Sequence, residues 1–589
     1  MAVACGPLEK AVLGNFISII LVIVFCGLSI LIHEIGHYVA AKKRGLLVPK
    51  FSIGFGPKLF GFKSKGTEFV ISLLPFGGYV AIPQLANLET IEGRFDLPVG
   101  LKQATCADKV LSAFAGPAAN ILLAIAIATA VYFIGLPVSE EMMSTTVGYV
   151  PKTLRLPTGN VTAPAYAAGI LPNDRILSID GKAVAKFDDI VQFIALGTRK
   201  DDRNNPIAAV EVERGGTRLK LSISPVLKPP AGGKYDSIRT IGIYPKQTLI
   251  VAGVIGQSTR SCADIRKGDA IVFANGEPVL SVLTLLDAEK TCRPVTLGIE
   301  RDGVRKTIEV PNAPVAAEKP FLSLTFAKKR AILDLIPDDE PSKFDNFNGK
   351  FKSFQIFCSD ENLLRMNGLS NGDRITHVGG NRVESLDEIR GIIGSHSEIT
   401  LTAATQFGDR TLPLDAISGV ELRETRYEGC LGMQFEDRMT ISYPSPLSQI
   451  VDSATVVFRT LHSLFSRTSD ISAKHLMGPV GIVGTLYTLA KENFPWLLWF
   501  VMLINVNLAI INLLPFPVVD GGIIVISLLE RVTNWKCIEK IFSKIQSIFC
   551  ILLIALIAYV TFFDIMRIRW NSRQQFEKQR WARLAINHD

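Results

Sequence analysis

The amino-acid sequence predicts a polytopic α-helical membrane protein with about four transmembrane helices, a membrane re-entrant β element and α/β domains inserted between the helices. Three observations carry this prediction. The chain has 589 residues, of which 48% are hydrophobic and 20% charged, an apolar composition for a chain of this length. Four stretches are long and apolar enough to cross a bilayer, which takes about 20 helical residues. Between the second and third stretches, about 300 residues contain no such run.

The four predicted spans cover approximately residues 14–39, 110–136, 495–516 and 545–563. The first span does not fit a removable signal peptide, because it is too long, lacks a small-residue cleavage site and contains a charged motif. The net charge is +8, and the basic residues cluster beside the spans. Membrane topology and anionic lipid head groups explain this clustering better than nucleic acid does. We therefore expect the lipid bilayer as a partner and no nucleic acid.

The loop after the first span predicts two short strands. Residues 51–62 (F-S-I-G-F-G-P-K-L-F-G-F) and 68–80 (E-F-V-I-S-L-L-P-F-G-G-Y-V) flank a polar turn. A strand pair this apolar is expected to dip into the membrane, covered by protein or lining a wet cavity. The loop is basic, which places it on the cytoplasmic side and the large insertion, with both chain ends, on the opposite side. The basic tail after residue 563 opposes this orientation.

The insertion contains a threefold repeat. Residues 169–184 (G-I-L-P-N-D-R-I-L-S-I-D-G-K-A-V), 265–279 (I-R-K-G-D-A-I-V-F-A-N-G-E-P-V) and 368–383 (G-L-S-N-G-D-R-I-T-H-V-G-G-N-R-V) align on Asp174, Asp269 and Asp373. Each copy predicts a turn, a strand and a second turn, and helix-like stretches follow the first and third copies at 187–196 and 385–393. The copies resemble PDZ domains, which bind extended segments by strand addition. Peptide binding and steric covering of the membrane part are equally open interpretations.

The cysteine pattern indicates neither a thiolate zinc site nor a dithiol redox motif. None of the nine cysteines forms a C-x-x-C pair. Cys262 and Cys292 either pair in an oxidising compartment or stay unpaired as small buried residues.

The first span carries the motif H-E-I-G-H, residues 33–37. Imidazoles at positions i and i+4 of a helix converge on one point, and a catalytic zinc takes three protein ligands plus a water. Glu34 stands beside the pair and could accept a proton from that water. Polar residues in so apolar a helix are costly without partners, which favours a functional site. The alternative is a pair of buried histidines satisfied by neighbouring carbonyls.

A third ligand is needed, and Asp520 is the best-placed candidate. It lies in N-L-L-P-F-P-V-V-D-G-G, residues 512–522, directly after an apolar span, where a carboxylate calls for a charge partner. The alternative is an interfacial aspartate that faces water or caps the next helix. The other histidines are less well placed: His377, His396, His462, His475 and His588.

These motifs together resemble the site-2 protease family of intramembrane metalloproteases, and most closely its bacterial RseP-like branch. Further matching stretches are F-S-I-G-F-G-P, L-P-F-G-G-Y-V, A-G-P-A-A-N at 115–120 and G-P-V-G-I at 478–482. The resemblance implies zinc held by His33, His37 and Asp520, with Glu34 as catalytic base. It also implies that Asn512 helps to hold substrate near the metal.

The resemblance further implies that the re-entrant β element receives an unwound substrate helix by strand addition. The residues expected to contact substrate there are Gly54, Phe55, Gly56, Gly77 and Gly78. Three departures from the family stand out: Val519 replaces leucine before Asp520, Ile523 replaces a frequent histidine, and three PDZ-like copies replace the usual two.

The implied function is a zinc metalloendopeptidase that hydrolyses peptide bonds within transmembrane segments of pre-trimmed membrane proteins. Expected substrates are single-pass transmembrane proteins, such as an anti-sigma factor, or remnant signal peptides. The implied location is the bacterial cell inner membrane, with the PDZ-like region periplasmic and the catalytic site near the cytoplasmic side. The alternative function is a non-catalytic PDZ-bearing membrane scaffold with a relic metal site. A transporter is disfavoured by the four spans and the lack of an inverted repeat.

The sequence divides into nine predicted parts. Residues 1–44 form the first transmembrane helix, 45–106 the loop with re-entrant strands, 107–137 the second helix, 138–230, 237–315 and 320–420 the three PDZ-like domains, 421–490 a connecting and amphipathic segment, 491–543 the third helix with V-D-G-G, and 544–589 the fourth helix with the basic tail.

Overall fold

The computed structural model describes residues 7–85, 103–156, 159–228, 237–254, 264–291, 295–310, 319–326, 332–337, 354–358, 374–383, 385–395, 398–405, 408–415, 417–425, 433–533 and 538–586. Its helices are α1 (Pro7–Lys43), α2 (Cys106–Ile134), α3 (Pro164–Ala167), α4 (Phe187–Ala195), α5 (Val282–Thr291), α6 (Leu386–Ser395), α7 (Pro446–Phe465), α8 (Pro479–Glu492), α9 (Phe494–Asn512), α10 (Asp520–Thr533) and α11 (Ile538–Ile586).

Four of the described helices are long and apolar enough to cross a membrane. They are Gly14–Lys43 within α1, Cys106–Ile134, Phe494–Asn512 and Lys544–Arg569 within α11. The four predicted spans are therefore confirmed as helices. The helix that contains the fourth span continues to Ile586, well beyond the predicted end of that span.

The loop after α1 forms the predicted strand pair, β1 (Lys50–Ser64) and β2 (Thr67–Ala81). The start of β1 has partners on both sides, since Phe51 pairs with Val80 and also with Phe69. The two 15-residue strands therefore bend into four short antiparallel rows. Residues 78–81 form an outer row, which among the described residues has a strand partner on one side only, residues 50–53 of β1. The ring of Tyr38 on α1 packs against the rings of Phe51 and Phe69, with centroid distances of 5.8 and 5.6 Å, and so holds this sheet on α1. Entry of the sheet into the membrane stays a prediction.

The insertion is rich in antiparallel strands. Its first part consists of β3 (Leu136–Ser139), β4 (Val147–Tyr149), β5 (Thr153–Leu156), β6 (Gly159–Thr162), β7 (Arg175–Ile179), β8 (Lys182–Ala183), β9 (Ala208–Arg214), β10 (Thr217–Ile223), β11 (Val226–Lys228), β12 (Ile238–Thr240) and β13 (Tyr244–Pro245). Its second part has β14 (Leu249–Val254), β15 (Ala270–Ala274), β16 (Glu277–Pro278), β17 (Val295–Arg301) and β18 (Val304–Val310).

The last strands complete the insertion and lead back to the membrane part. They are β19 (Lys319–Phe326), β20 (Ile332–Pro337), β21 (Phe354–Cys358), β22 (Arg374–Val378), β23 (Asn381–Arg382), β24 (Glu398–Thr405), β25 (Gly408–Asp415), β26 (Ile417–Thr425), β27 (Met433–Phe435) and β28 (Met439–Ser442). The three main sheets have the strand orders β10-β9-β7-β8, β18-β17-β15-β14-β27 and β25-β24-β22-β21-β20-β19-β26.

The first two copies of the repeat share one ion pair. Asp174 lies 2.7 Å from Arg214, and Asp269 lies 2.6 Å from Arg301, each bridging the turn to a neighbouring strand. Each arginine also donates to a backbone carbonyl of the turn. Helix α5 follows the second copy, where the sequence analysis did not predict one. The PDZ assignment itself stays a prediction.

Some predicted features fall outside the described residues. They are Asp373 with residues 368–372 of the third copy, the pair Cys262 and Cys292, and the histidines His396 and His588.

The insertion leaves and rejoins the membrane part at one place. Strand β3, directly after α2, pairs along its length with β28, which precedes α7. The indole nitrogen of Trp496 on α9 donates to the Pro137 carbonyl at 2.8 Å. Farther on, Arg239 on β12, in the first part of the insertion, pairs with Asp470 at 2.6 Å. The side chain of Arg239 is 1% exposed. These contacts tie the insertion to the helices.

Candidate metal centre

The site forms where α1 crosses α2, and two glycines allow the crossing. A Cβ atom added to Gly36 would lie 2.3 Å from the Ala115 carbonyl oxygen. One added to Gly116 would lie 2.3 Å from His37 Nε2 and 2.9 Å from His33 Cε1. Because neither residue has a side chain, the helices approach closely and both imidazoles lie against the backbone of α2.

Three polar side chains converge at this crossing. His33 Nε2 and His37 Nε2 are 3.1 Å apart, and Asp520 Oδ2 lies 3.3 and 3.4 Å from them. Both histidines are buried, and one ligand atom from each of the three residues falls within 4.8 Å of the others. The structure thus brings together the three residues that the sequence analysis proposed as ligands. The other described histidines, His377, His462 and His475, lie outside this group.

Asp520 reaches the histidines because the chain folds back after α9. Residues 513–519 form tight turns, and α10 begins at Asp520. A Cβ atom at Gly521 would lie 2.2 Å from the Leu514 carbonyl oxygen, and one at Gly522 would lie 2.2 Å from that of Phe516. The V-D-G-G segment therefore needs both glycines to close the turn that aims the carboxylate inward. Asp520 begins a helix, as the alternative interpretation held, but its side chain is only 16% exposed.

The face of α2 toward the histidines carries contacts whose role the sequence analysis missed. His37 Nδ1 lies 2.8 Å from the Ser112 carbonyl oxygen, which can only accept, so Nδ1 holds the proton and Nε2 is left with its lone pair. His33 Nδ1 lies 3.1 Å from the amide nitrogen of Asn120. Ser112, Gly116 and Asn120 are four residues apart and thus share one helix face. The available signal was this spacing of small and polar residues in an apolar helix.

Glu34 lies beside the cluster and joins it to the bent sheet. It is 8% exposed, and the backbone of Val80 lies near its carboxylate. A Cβ atom at Gly78 would lie 3.1 Å from Glu34 Cγ and 2.9 Å from the Ser52 carbonyl oxygen. Of the predicted substrate-contacting glycines, Gly78 thus lies directly against Glu34 of the H-E-I-G-H motif.

The other predicted substrate-contacting residues take different places. Gly54, Gly56 and Gly77 have positive φ angles of 85°, 92° and 87°, so they supply the bends of the sheet. Phe55 pairs in register with Leu74. The amide nitrogen of Asn512 lies 3.3 Å from His33 Nε2, at the edge of the cluster.

The donor set fits a zinc ion. Two imidazole nitrogens and one carboxylate oxygen are the ligands of many catalytic zinc sites, which leave a fourth position open. Asp520 Oδ2 is buried and has no hydrogen-bond partner. A buried carboxylate oxygen without a donor is costly unless a cation compensates its charge. The carboxylate of Glu34 lies beside the three converging residues and is not part of the group.

Comparison with known proteins places this geometry in a family. The sequence profile of peptidase family M50 matches residues 20–556, which cover most of α1 with both histidines, the insertion, Asp520 and the first part of α11. The chain belongs to peptidase family M50. This is the site-2 protease family, so the resemblance predicted from the motifs is confirmed.

Relatives in this family match nearly the whole chain. A presumptive zinc metalloprotease of Chlamydia pneumoniae is 26% identical over 94% of this chain and 99% of its own length. The regulator of sigma-E protease RseP of Escherichia coli K12 is 26% identical over 93% of this chain and 98% of its own. Protease RseP of Yersinia pestis is 25% identical over the same shares. The M50 relatives therefore share the overall length of this chain, including its insertion.

Proposed function

We propose that this chain is an intramembrane zinc metalloprotease that hydrolyses peptide bonds within transmembrane segments of other proteins. One observation carries the proposal: His33, His37 and Asp520 converge within 4.8 Å in a membrane helix bundle, with Glu34 beside them. Membership of peptidase family M50 and the names of its zinc metalloprotease relatives support it.

The three converging side chains would hold the zinc. His37 offers Nε2, because its other nitrogen faces the Ser112 carbonyl, and His33 and Asp520 face the same point. When bound, zinc supplies a Lewis acid and lowers the pKa of a water molecule to about 7. The relative from Chlamydia pneumoniae carries zinc in its name, which agrees with this donor set.

Glu34 would act as the general base and then as the acid. Its carboxylate is adjacent to the ligands but not one of them, so it is free to take a proton from the attacking water. The same proton can then pass to the leaving amine. Gly78 and the backbone of Val80 lie beside this side chain and limit the space around it.

The bent sheet would present the substrate. A transmembrane helix hides its peptide carbonyls in internal hydrogen bonds, so cleavage requires local unwinding. Residues 78–81 pair with β1 on one side only, and Gly78 and Val80 lie against Glu34. An unwound segment that adds to this row by strand pairing would lie next to the catalytic carboxylate. Asn512, near His33, would hold the substrate from the other side.

The insertion would act as a steric filter. It stands between α2 and α9 and is tied to the helices through β3–β28 and through Arg239–Asp470. A large ectodomain would collide with it, so the substrates would be membrane proteins already trimmed by another protease, or remnant signal peptides. The sigma-E regulator name of the Escherichia coli relative supports a single-pass anti-sigma factor as one substrate. The enzyme would lie in the bacterial inner membrane, with its insertion periplasmic.

The variant Glu34→Gln tests the catalytic proposal. It should retain zinc and lose cleavage, because the ligands are intact and the proton acceptor is gone, whereas His33→Ala should lose zinc. Zinc content of the purified protein and cleavage of a trimmed single-pass substrate are measured on the same samples. Full proteolysis by Glu34→Gln would overturn the proposal. Fragments that accumulate in membranes containing this variant would identify the substrate.

The same measurements separate two further possibilities. A wild-type protein that binds zinc but cleaves no trimmed substrate would support the non-catalytic scaffold. That reading is disfavoured, because Glu34 is held in position beside an intact ligand set. Equal cleavage of trimmed and untrimmed substrate would contradict the steric filter without touching the catalytic assignment.

A further inference from the structure

Asn120 of α2 is fully buried beside His33 and only half of its amide has a partner. Its nitrogen lies 3.1 Å from His33 Nδ1, while its oxygen is buried and has no hydrogen-bond partner. Asn120 is 0% exposed. A buried amide oxygen that lacks a donor is destabilising, and a half-turn of the amide would place this oxygen opposite His33 Nδ1 instead.

The contact between the Asn120 amide and His33 Nδ1 corresponds to one tautomer of His33. When the Asn120 amide donates to His33 Nδ1, that nitrogen must carry the lone pair, and the proton of His33 resides on Nε2. There it faces His37 Nε2 at 3.1 Å, whose lone pair is free because Nδ1 of His37 donates to the Ser112 carbonyl. In this tautomer the Nε2–H of His33 also faces the amide nitrogen of Asn512 at 3.3 Å, which is itself a donor, so Asn120 and Asn512 favour opposite tautomers of His33. A protonated Nε2, however, cannot be a zinc ligand.

We propose that Asn120 selects the metal-binding tautomer of His33 by turning its amide. A half-turn exchanges the amide oxygen and nitrogen with almost no change in shape. Oδ1 then accepts from His33 Nδ1–H, the proton no longer occupies Nε2, and the Nε2 lone pair points toward His37 and Asp520. Asn120 is thus a positioning residue that acts on the metal through His33. An asparagine suits both states because it can donate in one and accept in the other.

The same helix bundle contains a second buried asparagine, Asn505, which serves as a control for a purely structural role of Asn120. Asn505 on α9 is also 0% exposed and also contacts α1, donating to Ser29 Oγ at 2.9 Å. Ser29 lies one turn before His33, so Asn505 makes the same kind of interhelical bond without touching a ligand. Loss of either asparagine removes a buried hydrogen bond, but only the loss of Asn120 frees His33 to take the wrong tautomer.

The inference rests on the proposed zinc site, and its test measures metal affinity rather than proteolysis. Full-length protein in detergent is titrated with zinc against a competing chelator, for the wild type, Asn120→Leu, Asn120→Asp and Asn505→Leu. Leucine keeps the volume and removes both hydrogen-bonding groups. Aspartate is an acceptor only, so it fixes the metal-binding tautomer, as in carboxylate–histidine–zinc contacts.

We expect Asn120→Leu to bind zinc about 10–100-fold more weakly, the range typical of lost outer contacts to a ligating histidine. Asn120→Asp should bind within about threefold of the wild type or more tightly, and Asn505→Leu should match the wild type. With cobalt in place of zinc, the visible absorption spectrum should change in Asn120→Leu and be preserved in Asn120→Asp.

Each contrary outcome is decisive. Wild-type affinity in Asn120→Leu overturns the inference, and so does an equal loss in Asn120→Asp, since the amide donor would then be the part that matters. An equal loss in Asn505→Leu would show general loosening of the bundle instead. If Asn120→Asp does not give a single folded species, the pair of leucine variants decides alone. Absence of zinc binding in the wild type would refute the proposed function itself, which is a separate result.

Discussion

Gly116→Ala tests whether the close crossing of α1 and α2 creates the metal site. The added Cβ atom would lie 2.3 Å from His37 Nε2, 2.6 Å from its Cε1 and 2.9 Å from His33 Cε1. Non-bonded heavy atoms are comfortable only at about 3.5 Å or more, so the His37 ring must withdraw by about 1 Å. Zinc–nitrogen bonds are about 2.0–2.1 Å long and tolerate deviations of only about 0.2 Å.

The expected result is therefore the loss of one ligand from three. Loss of a residue that only hydrogen-bonds to a metal ligand weakens metal binding by at most roughly 100-fold. Gly116→Ala displaces a ligand itself, so its zinc affinity should fall by more than that. The assay is the zinc content of purified protein after equilibration against a series of chelator concentrations. The control is Gly27→Ala on α1, where an added Cβ atom meets nothing within 4 Å. Both changes replace glycine within a helix, where alanine is favoured by about 1 kcal/mol, so neither weakens its own helix. Equal zinc affinity in Gly116→Ala and Gly27→Ala would refute the reasoning.

Two further predictions concern the insertion. Arg239→Met should loosen the first part of the insertion by about 1–3 kcal/mol, because it leaves Asp470, which is 26% exposed, without its partner. Limited proteolysis should show this. Arg175→Met, at an exposed pair, should cost less than about 1 kcal/mol, and equal sensitivity of the two variants would contradict the prediction. The hydrogen bond from the guanidinium of Arg301 lowers the pKa of Asp269. The ion pair therefore stabilises the second part of the insertion (β14–β18) above about pH 4, and this stabilisation is lost as the pH falls further. Hydrogen exchange of β15, corrected for intrinsic rates, should therefore quicken below pH 4 in the wild type and less so in Asp269→Asn, and identical profiles would count against it.

The sequence could predict those features that depend on local spacing. His33 and His37 converge because they are one helical turn apart, and the two strands after α1 follow from apolar runs around a polar turn. Asp520 could be singled out because a carboxylate at a broken span needs a partner. Each of these signals lies within about a dozen residues of chain.

Features that depend on how elements meet could not be predicted. The spacing of Ser112, Gly116 and Asn120 marks one face of α2, but the sequence does not tell which other helix that face meets. The bend of the sheet depends on Phe51 having partners on two sides, which a strand pattern does not encode. Helix α7 buries Gln449 and Ser453 against the bundle and exposes Leu447 and Phe458, the reverse of the polarity expected for a soluble helix.

The pairing of β3 with β28 gives the insertion a modular character. The chain leaves α2 and returns before α7 through adjacent antiparallel strands, from Leu136 opposite Ser442 to Ser139 opposite Met439. Because these strands fix the distance between the end of α2 and the start of α7, the chain between them can lengthen or shorten without moving either helix. The insertion can therefore vary while α2 keeps its crossing with α1, where His33 and His37 lie.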